Sequence, residues 1–456
     1  MRNISLAIML FLPVLLIYGC KKMIMVESPK NQLTTDKVFA DSTSASAALL
    51  NVYTNFESQF EPNYSTYMSL YTDEMGYVGT DVTNSEYYNG RLTSGNATNK
   101  NTWSYLFTII YQCNDILSQL QDNRSLSKSL VKQLSGEAKF LRAFAYFYLV
   151  NLYGDVPLLL QTDVAFTAKA KRDDQTLVYT QMIKDLTEAK NELSSSYIGA
   201  GKVRANKLVA SALLSRIFLY QKNWSMAEKE ADAVIGSNLY TPLEVLGNIF
   251  KANNREAILQ LWNENGFIRN SGSIVSPSST GVPQYIITTD LYNAFEVGDL
   301  RKSNWVGLKN VVTGGVGKVY YYNLKYKNKT SNTSNPEYLV VMRIAEQFLI
   351  RAEARAMLGN IQGAVDDLNV IRKRAGLNPL SDALNIQECL NAIAKERRLE
   401  LFTENGHRFF DLKRSGQLNP VMGNYKPGWQ NGTSSLLPVP QDEITYNRNL
   451  LQNQGY

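Results

Sequence analysis

The sequence predicts a mostly α-helical fold, helical hairpins of tetratricopeptide type interrupted by an irregular insert of loops and short strands. Three observations predict it. Apolar residues recur at helical spacing to about Val234, two helix–turn–helix patterns share the same offsets, and the stretch between them turns loop-rich.

Asp41 or Ser42 can cap a first helix through Tyr53, with Ala48, Leu49, Val52 and Phe56 along one face. A second helix runs from near Trp103 to Leu120. A third, Ser127 to Tyr153, is rich in Ala and aromatics and stops at Gly154, with Pro157 just beyond. The first hairpin places Ala212, Phe218, Trp224, Ala227, Ala231 and Val234 around a turn at Lys222-Asn223. The second repeats these offsets at Leu349, Ala352, Arg355, Ile361, Ala364, Leu368 and Ile371, turning at Gly359-Asn360. The repeat is degenerate, because Arg355 stands where an aromatic is expected.

Between the hairpins, Glu256 to Trp262 reads as a short strand and Asn270 to Pro283 as a Ser/Gly/Pro-rich loop. Thr313 to Gly317 is a glycine turn. Lys318 to Tyr326 alternates, which predicts a strand with Tyr320, Tyr322, Leu324 and Tyr326 on one face. Lys327 to Pro336 is polar loop.

Composition narrows the function. With 44% hydrophobic and 19% charged residues in 456, the chain is globular, and its net charge of +6 is dispersed. No Lys/Arg run marks a nucleic-acid surface. The single histidine, His407, excludes metal sites built on several His ligands, and any Ser-His or Cys-His dyad would have to use it. No cofactor or metal site is expected.

Residues 1–19 read as a signal peptide: Arg2 precedes an apolar run from Ile4 to Ile17, too short to span a bilayer comfortably. The run ends at Gly19-Cys20, which resembles a bacterial lipoprotein signal with Cys20 acylated, although Ile17 and Tyr18 depart from the usual pattern. An ordinary secretory signal or an uncleaved anchor is the alternative. Residues 20–35 form a tether, and Lys21 in the position after the cysteine favours the outer membrane. Cys113, on the face of Trp103, Leu106, Ile110 and Leu117, and Cys389, beside Leu390 and Ile393, read as small buried hydrophobes. Whether the two meet is open.

Several segments, taken in order, resemble the SusD/RagB family of outer-membrane nutrient-binding lipoproteins. They are the Pro29 to Tyr53 opening, Gly136 to Ala143 with Tyr146-Phe147, and Tyr153-Gly154-Asp155-Val156-Pro157. Then come Arg343-Ile344-Ala345-Glu346, Arg351 to Ala354, Asn369 to Gly376, Glu396 to Leu401 and Gly406 to Leu412. Pro438-Val439-Pro440 and Asn449 to Tyr456 close the series, with Gln454 where proline is usual. The resemblance implies an N-terminal helical region over 36–240 and a C-terminal region over 241–456 that includes the loop-rich insert 263–336. It further implies a lipid anchor and capture of a glycan or other nutrient. The implied partner is a TonB-dependent barrel, on whose extracellular face such proteins act as a lid.

Glu396, Glu400, Glu404 and Arg408 are four apart, which places them on one helix as an ion-pair network rather than a catalytic pair facing across a cleft. Glu137 with Arg142 and Arg351 with Glu353 read the same way. Trp103, Trp224 and Trp262 are expected in the core. The binding candidates lie in loops: Asp73, Tyr77, Tyr87, Tyr88, Asn89 and Arg91 in one polar segment, and Tyr285, Tyr292 and Trp305 in or beside the insert. Sugar rings offer C–H faces to aromatic rings, while their hydroxyls need Asp, Asn or Arg at the rim. A surface-loop role for each of these residues is the alternative. At the level of the whole chain, the rival readings are a lid or scaffold with little ligand contact, and a binder of peptide or another nutrient.

Overall fold

Asp41 starts the first long helix by accepting a hydrogen bond from Ser44 N at 2.8 Å, and α1 runs Ser42–Asn55. The computed structural model describes residues 35–60, 63–268 and 281–456. The signal peptide, Cys20 and nearly all of the tether therefore lie outside the described residues, as does most of the Asn270 to Pro283 loop.

After α1 come α2 (Asn63–Tyr71), β1 (Met75–Tyr77), α3 (Val82–Asn89) and α4 (Ala97–Leu120). Helix α4 begins before Trp103 because the Asn96 side chain caps it, accepting from Asn99 N at 3.0 Å. The next helix, α5 (Lys128–Tyr153), is capped by Ser127 and ends at Gly154, whose φ of 77° favours glycine. From Phe140 to Val150 every residue of α5 is buried, and all but Arg142 are apolar or aromatic, which accounts for the Ala and aromatic content of this helix. It packs on α4 and on α6 (Gln175–Glu192).

Both hairpins form as expected. Helices α7 (Lys207–Tyr220) and α8 (Trp224–Ile235) turn at Lys222, which takes a φ of 57°. Further along lie β2 (Ala257–Leu261), β3 (Tyr285–Ile287), α9 (Thr289–Ala294), α10 (Leu300–Trp305), β4 (Val306–Thr313), β5 (Val316–Asn323) and β6 (Leu339–Arg343). The second hairpin is α11 (Ile344–Met357) and α12 (Ile361–Arg374), followed by α13 (Ile386–Glu400), α14 (His407–Arg414) and α15 (Leu418–Tyr425).

The hairpins stack through α8 and α11. Arg355, the residue in the aromatic position, donates from Nε to Glu228 at 2.9 Å and from Nη1 to Asp367 at 3.0 Å, tying α11 to α8 and α12. Inside the stack, Arg216 of α7 pairs bidentately with Glu346 of α11 at 2.7 and 2.6 Å.

The described strands form three antiparallel pairs, β1–β3, β2–β6 and β4–β5. Gly314 and Gly315, both with positive φ, turn the β4–β5 hairpin. Strand β5 stops at Asn323, so Leu324 and Tyr326 fall outside the strand expected to carry them. One hydrophobic core runs through residues of both halves of the chain, and a smaller one surrounds Trp305, Phe250, Phe295 and Phe402. Cys113 and Cys389 are buried and unbridged.

Four expectations need correction. Glu396, Glu400, Glu404 and Arg408 do not share a helix: α13 ends at Glu400, and Thr403, Asn405 and Gly406 all take left-handed φ in the turn before α14. That turn carries Glu404 back to Arg343 and Lys325, so an ion-pair network exists across several elements instead of along one. Glu137 of α5 pairs with Arg204, in the chain before α7, and Arg142 with Asp185 of α6, where the side chains are buried together. Arg351 pairs with Asp367 and Asp232, and Glu353 with Arg414. Trp262 is 53% exposed at the end of β2 and is no core residue, whereas Trp103 is buried.

His407 is buried with Nδ1 4.0 Å from Glu346 Oε1. Burial pushes the imidazole down to about 4, with Glu346 opposing and Arg216 and Arg397 reinforcing. A folded-state value below the unfolded one favours the neutral ring, so this contribution is present above about 6.5 and is lost as pH falls through about 4. As the only histidine, it gives one imidazole signal by NMR, which is expected to titrate near 4; titration near 6.5 in the folded protein contradicts the assignment.

Candidate ligand-binding site

Asp81 caps α3, accepting from Asn84 N at 2.9 Å and from Asn84 Nδ2 at 2.8 Å, which fixes the Asn84 amide on the helix surface. Beside it, β1 and β3 set Tyr77 directly opposite Tyr285. Their rings lie 5.8 Å apart and tilted by 36°. The Tyr285 hydroxyl donates to Asn84 Oδ1 at 3.1 Å. The Tyr77 hydroxyl accepts from Asp81 N at 3.1 Å and from Gln284 Nε2 at 3.4 Å. Both tyrosines are half-buried, so each ring keeps part of its surface in solvent while its tip is held. Burial first, and then Tyr67 and Tyr77, push the Tyr285 phenol upward, keeping it a neutral donor.

Asn84 and Tyr88 are four apart and share a face of α3. Tyr88 is exposed, with Lys426 Nζ 4.9 Å from its ring centroid and 5.4 Å from that of Tyr425. Lys426 is itself buried and donates to Leu70 O at 2.6 Å; burial pushes its amine down to about 7. Along the other side of α3, Ser85, Glu86, Asn89 and Arg91 line an open cleft of about 610 Å³ that Gly428 closes. Gly428 N donates to Asn89 O at 3.0 Å, and a Cβ at that glycine would come within 2.7 Å of the same oxygen, so the approach requires glycine.

Five of the sequence candidates, Tyr77, Tyr88, Asn89, Arg91 and Tyr285, thus meet around α3. Three others are buried, and the expectation that they contact ligand is corrected. Trp305 is 0% exposed, with Nε1 donating to Leu246 O at 3.1 Å in the smaller core. Tyr87 is buried against Tyr67 and Tyr71, its ring 5.0 Å from the former. Asp73 is buried under Arg408, which grips it through Nε and Nη2 at 2.8 Å each, and Arg398, also at 2.8 Å. Tyr292 is half-buried, but Tyr321 stacks on it at 3.6 Å and Lys302 Nζ lies 3.8 Å from its ring centroid. Asn84, Gln284, Tyr425 and Lys426 escaped the sequence reading. Asn84 alone had a local signal, three residues after a capping Asp81.

Half-exposed rings with tethered hydroxyls, beside a polar cleft of Ser, Asn, Glu and Arg, can hold a polyhydroxylated ligand by stacking and hydrogen bonding.

Residues 291–456 match the family model of the SusD family, and residues 25–219 match one described as "Starch-binding associating with outer membrane". The SusD-like protein P2 of Formosa agariphila is 26% identical, over 97% of this chain and 98% of its own. The starch-binding protein SusD of Bacteroides thetaiotaomicron is 25% identical, over 70% of this chain and 72% of its own. A solved structure of a laminarin-binding SusD-like protein superposes with a TM-score of 0.76 at 25% identity, covering 91% of this chain and 99% of that one.

Proposed function

The chain belongs to the SusD/RagB family, and from that premise we propose that it binds an oligosaccharide or polysaccharide without covalent chemistry and passes it to a TonB-dependent outer-membrane barrel. The observation that carries this reading is the Tyr77–Tyr285 pair, set in register by β1 and β3 and tethered to α3 by Asn84 and Asp81. Two rings held at their tips present their faces without losing further rotamer entropy on binding. The starch-binding and laminarin-binding relatives support a glucan as the ligand. No step in this role needs a nucleophile or a general base, so the ligand leaves as it arrived.

Isothermal titration with malto-oligosaccharides, laminarin and a wider panel of plant, host and microbial glycans tests the proposal. Saturable binding of at least one glycan is expected; binding of none, alongside binding of peptides, would transfer the site to a different nutrient.

Association with the outer membrane accords with the description of the family matched by residues 25–219. We extend this to acylation of Cys20 and display on the extracellular face, where the tether would hold the protein beside its barrel. Metabolic labelling with palmitate is expected to mark the parent and not Cys20→Ala; equal labelling of both sinks the anchor.

A further inference from the structure

Helices α13 and α14, the end of α7 and the chain before β1 enclose a cavity of about 730 Å³, none of whose lining residues belongs to α3. Its wall carries several arginines in different states. Arg414 is fully engaged, with Nη1 and Nη2 on Glu353 and Nε on Asp411. Arg408 is locked to Asp73.

Arg397 and Arg398 are not saturated. Arg397 gives only Nε, to Asp411 Oδ2 at 2.8 Å, while its Nη1 and Nη2 are buried without a hydrogen-bond partner among the described residues. The residue is 2% exposed. Arg398 gives Nη2 to Asp73, and its buried Nε has no partner. Orphaned guanidinium donors of this kind are costly unless a ligand or water satisfies them. The Glu74 carboxyl on the same wall also keeps Oε1 unpartnered, and burial, then Asp73, push it up to about 7.

The rest of the wall suits a sugar. Trp224, half-buried against the core, lines it. Gln387 and Asn391, four apart on α13, bond to each other at 3.0 Å and leave one amide oxygen and one amide nitrogen for hydroxyls.

We infer that this cavity is a second binding site, for an acidic sugar unit whose carboxylate meets the partly exposed Arg398 guanidinium, with the buried Arg397 guanidinium adding positive charge to the wall, and whose ring lies against Trp224. A carboxylate matches the planar guanidinium fork, which a neutral sugar does not. The inference stands independently of the reading of the α3 face.

The test is a titration of the folded protein with D-glucuronate, followed by calorimetry and by tryptophan fluorescence, at constant ionic strength. D-glucose serves as the neutral twin and sulfate as the bare oxyanion. Glucuronate is expected to saturate the site, with glucose and sulfate each weaker by about tenfold or more. Arg398→Gln is expected to weaken glucuronate by about tenfold, and Trp224→Phe to remove the fluorescence response, while Lys100→Ala, at an exposed pair outside both sites, leaves both unchanged. If Arg398→Gln does not fold, Asn391→Leu on the cavity rim replaces it, with loss of binding expected. Glucose or sulfate binding as well as glucuronate, or no saturation below about 50 mM, overturns the proposal.

Discussion

Arg343→Met is expected to destabilise the fold by about 3–5 kcal/mol, the cost of stripping one partner from a buried ionic cluster. Arg343 is 1% exposed and donates from Nε to Glu404 at 2.8 Å, from Nη1 to Glu256 at 2.9 Å and from Nη2 to the Glu400 carbonyl at 2.7 Å. Glu400, 0% exposed, also meets Arg301 at 3.3 Å and pairs with Arg374. Burial alone would raise the Glu400 carboxyl; Arg374, Arg343 and Arg301 together outweigh it and hold the group well below the usual carboxylate range. Without Arg343, Glu404 keeps Lys325 and Glu256 keeps Arg374, but three buried carboxylates lose a shared cation. Urea unfolding at pH 7 measures the difference. The depressed folded-state value means that the cluster contributes stability above about 4.5 and loses it as pH falls, so the gap between parent and variant is expected to narrow in acid. A variant within about 1 kcal/mol of the parent at pH 7 would contradict the account. The exposed Lys100–Asp442 pair supplies the contrast: its removal is expected to leave unfolding unchanged.

The double substitution Tyr77→Ala, Tyr285→Ala is expected to lower glycan affinity on the order of 100-fold, about 1–2 kcal/mol for each ring. Stability should change far less, since both side chains are only half-buried where they pack against the core. Tyr77→Phe keeps the ring and removes only the hydroxyl that accepts from Asp81 N, so a smaller loss is expected from it. Calorimetry with whichever glycan binds the parent gives the comparison, and circular dichroism reports the fold. Parental affinity in the double variant would remove the tyrosine pair from the site.

The helical hairpins were legible because their small and large apolar residues recur at fixed offsets, and the turns at Lys222-Asn223 and Gly359-Asn360 fall where those offsets break. The end of α13 is hidden in the sequence for a related reason. The four-residue spacing of Glu396, Glu400, Glu404 and Arg408 continues across a turn that Asn405-Gly406 marks. Charge spacing alone cannot show that the backbone under it has left the helix.

The candidate binding face is legible by residue type and only partly by position. Tyr77 and Tyr285 meet through strands of three residues each, too short for alternation to register, and nothing local links two segments so far apart in the chain. Trp305 and Tyr87 have the composition of ligand contacts, yet burial is decided by what packs over them: Phe250 and Phe402 around the first, Tyr67 and Tyr71 around the second. Asp73 has the chemistry of a hydroxyl partner but lies under Arg398 and Arg408, which come from the other end of the sequence.

Arg355 gives the hairpin stack a property that an aromatic in its place would not. A ring between stacked hairpins sets their separation by bulk and lets the helices settle wherever the surfaces fit. A guanidinium shared between Glu228 of α8 and Asp367 of α12 sets direction, because its donors lie in one plane. The way the two hairpins cross is then set by orientation rather than volume. The Arg355–Glu228 pair is partly exposed, so its hold between α11 and α8 weakens as ionic strength rises.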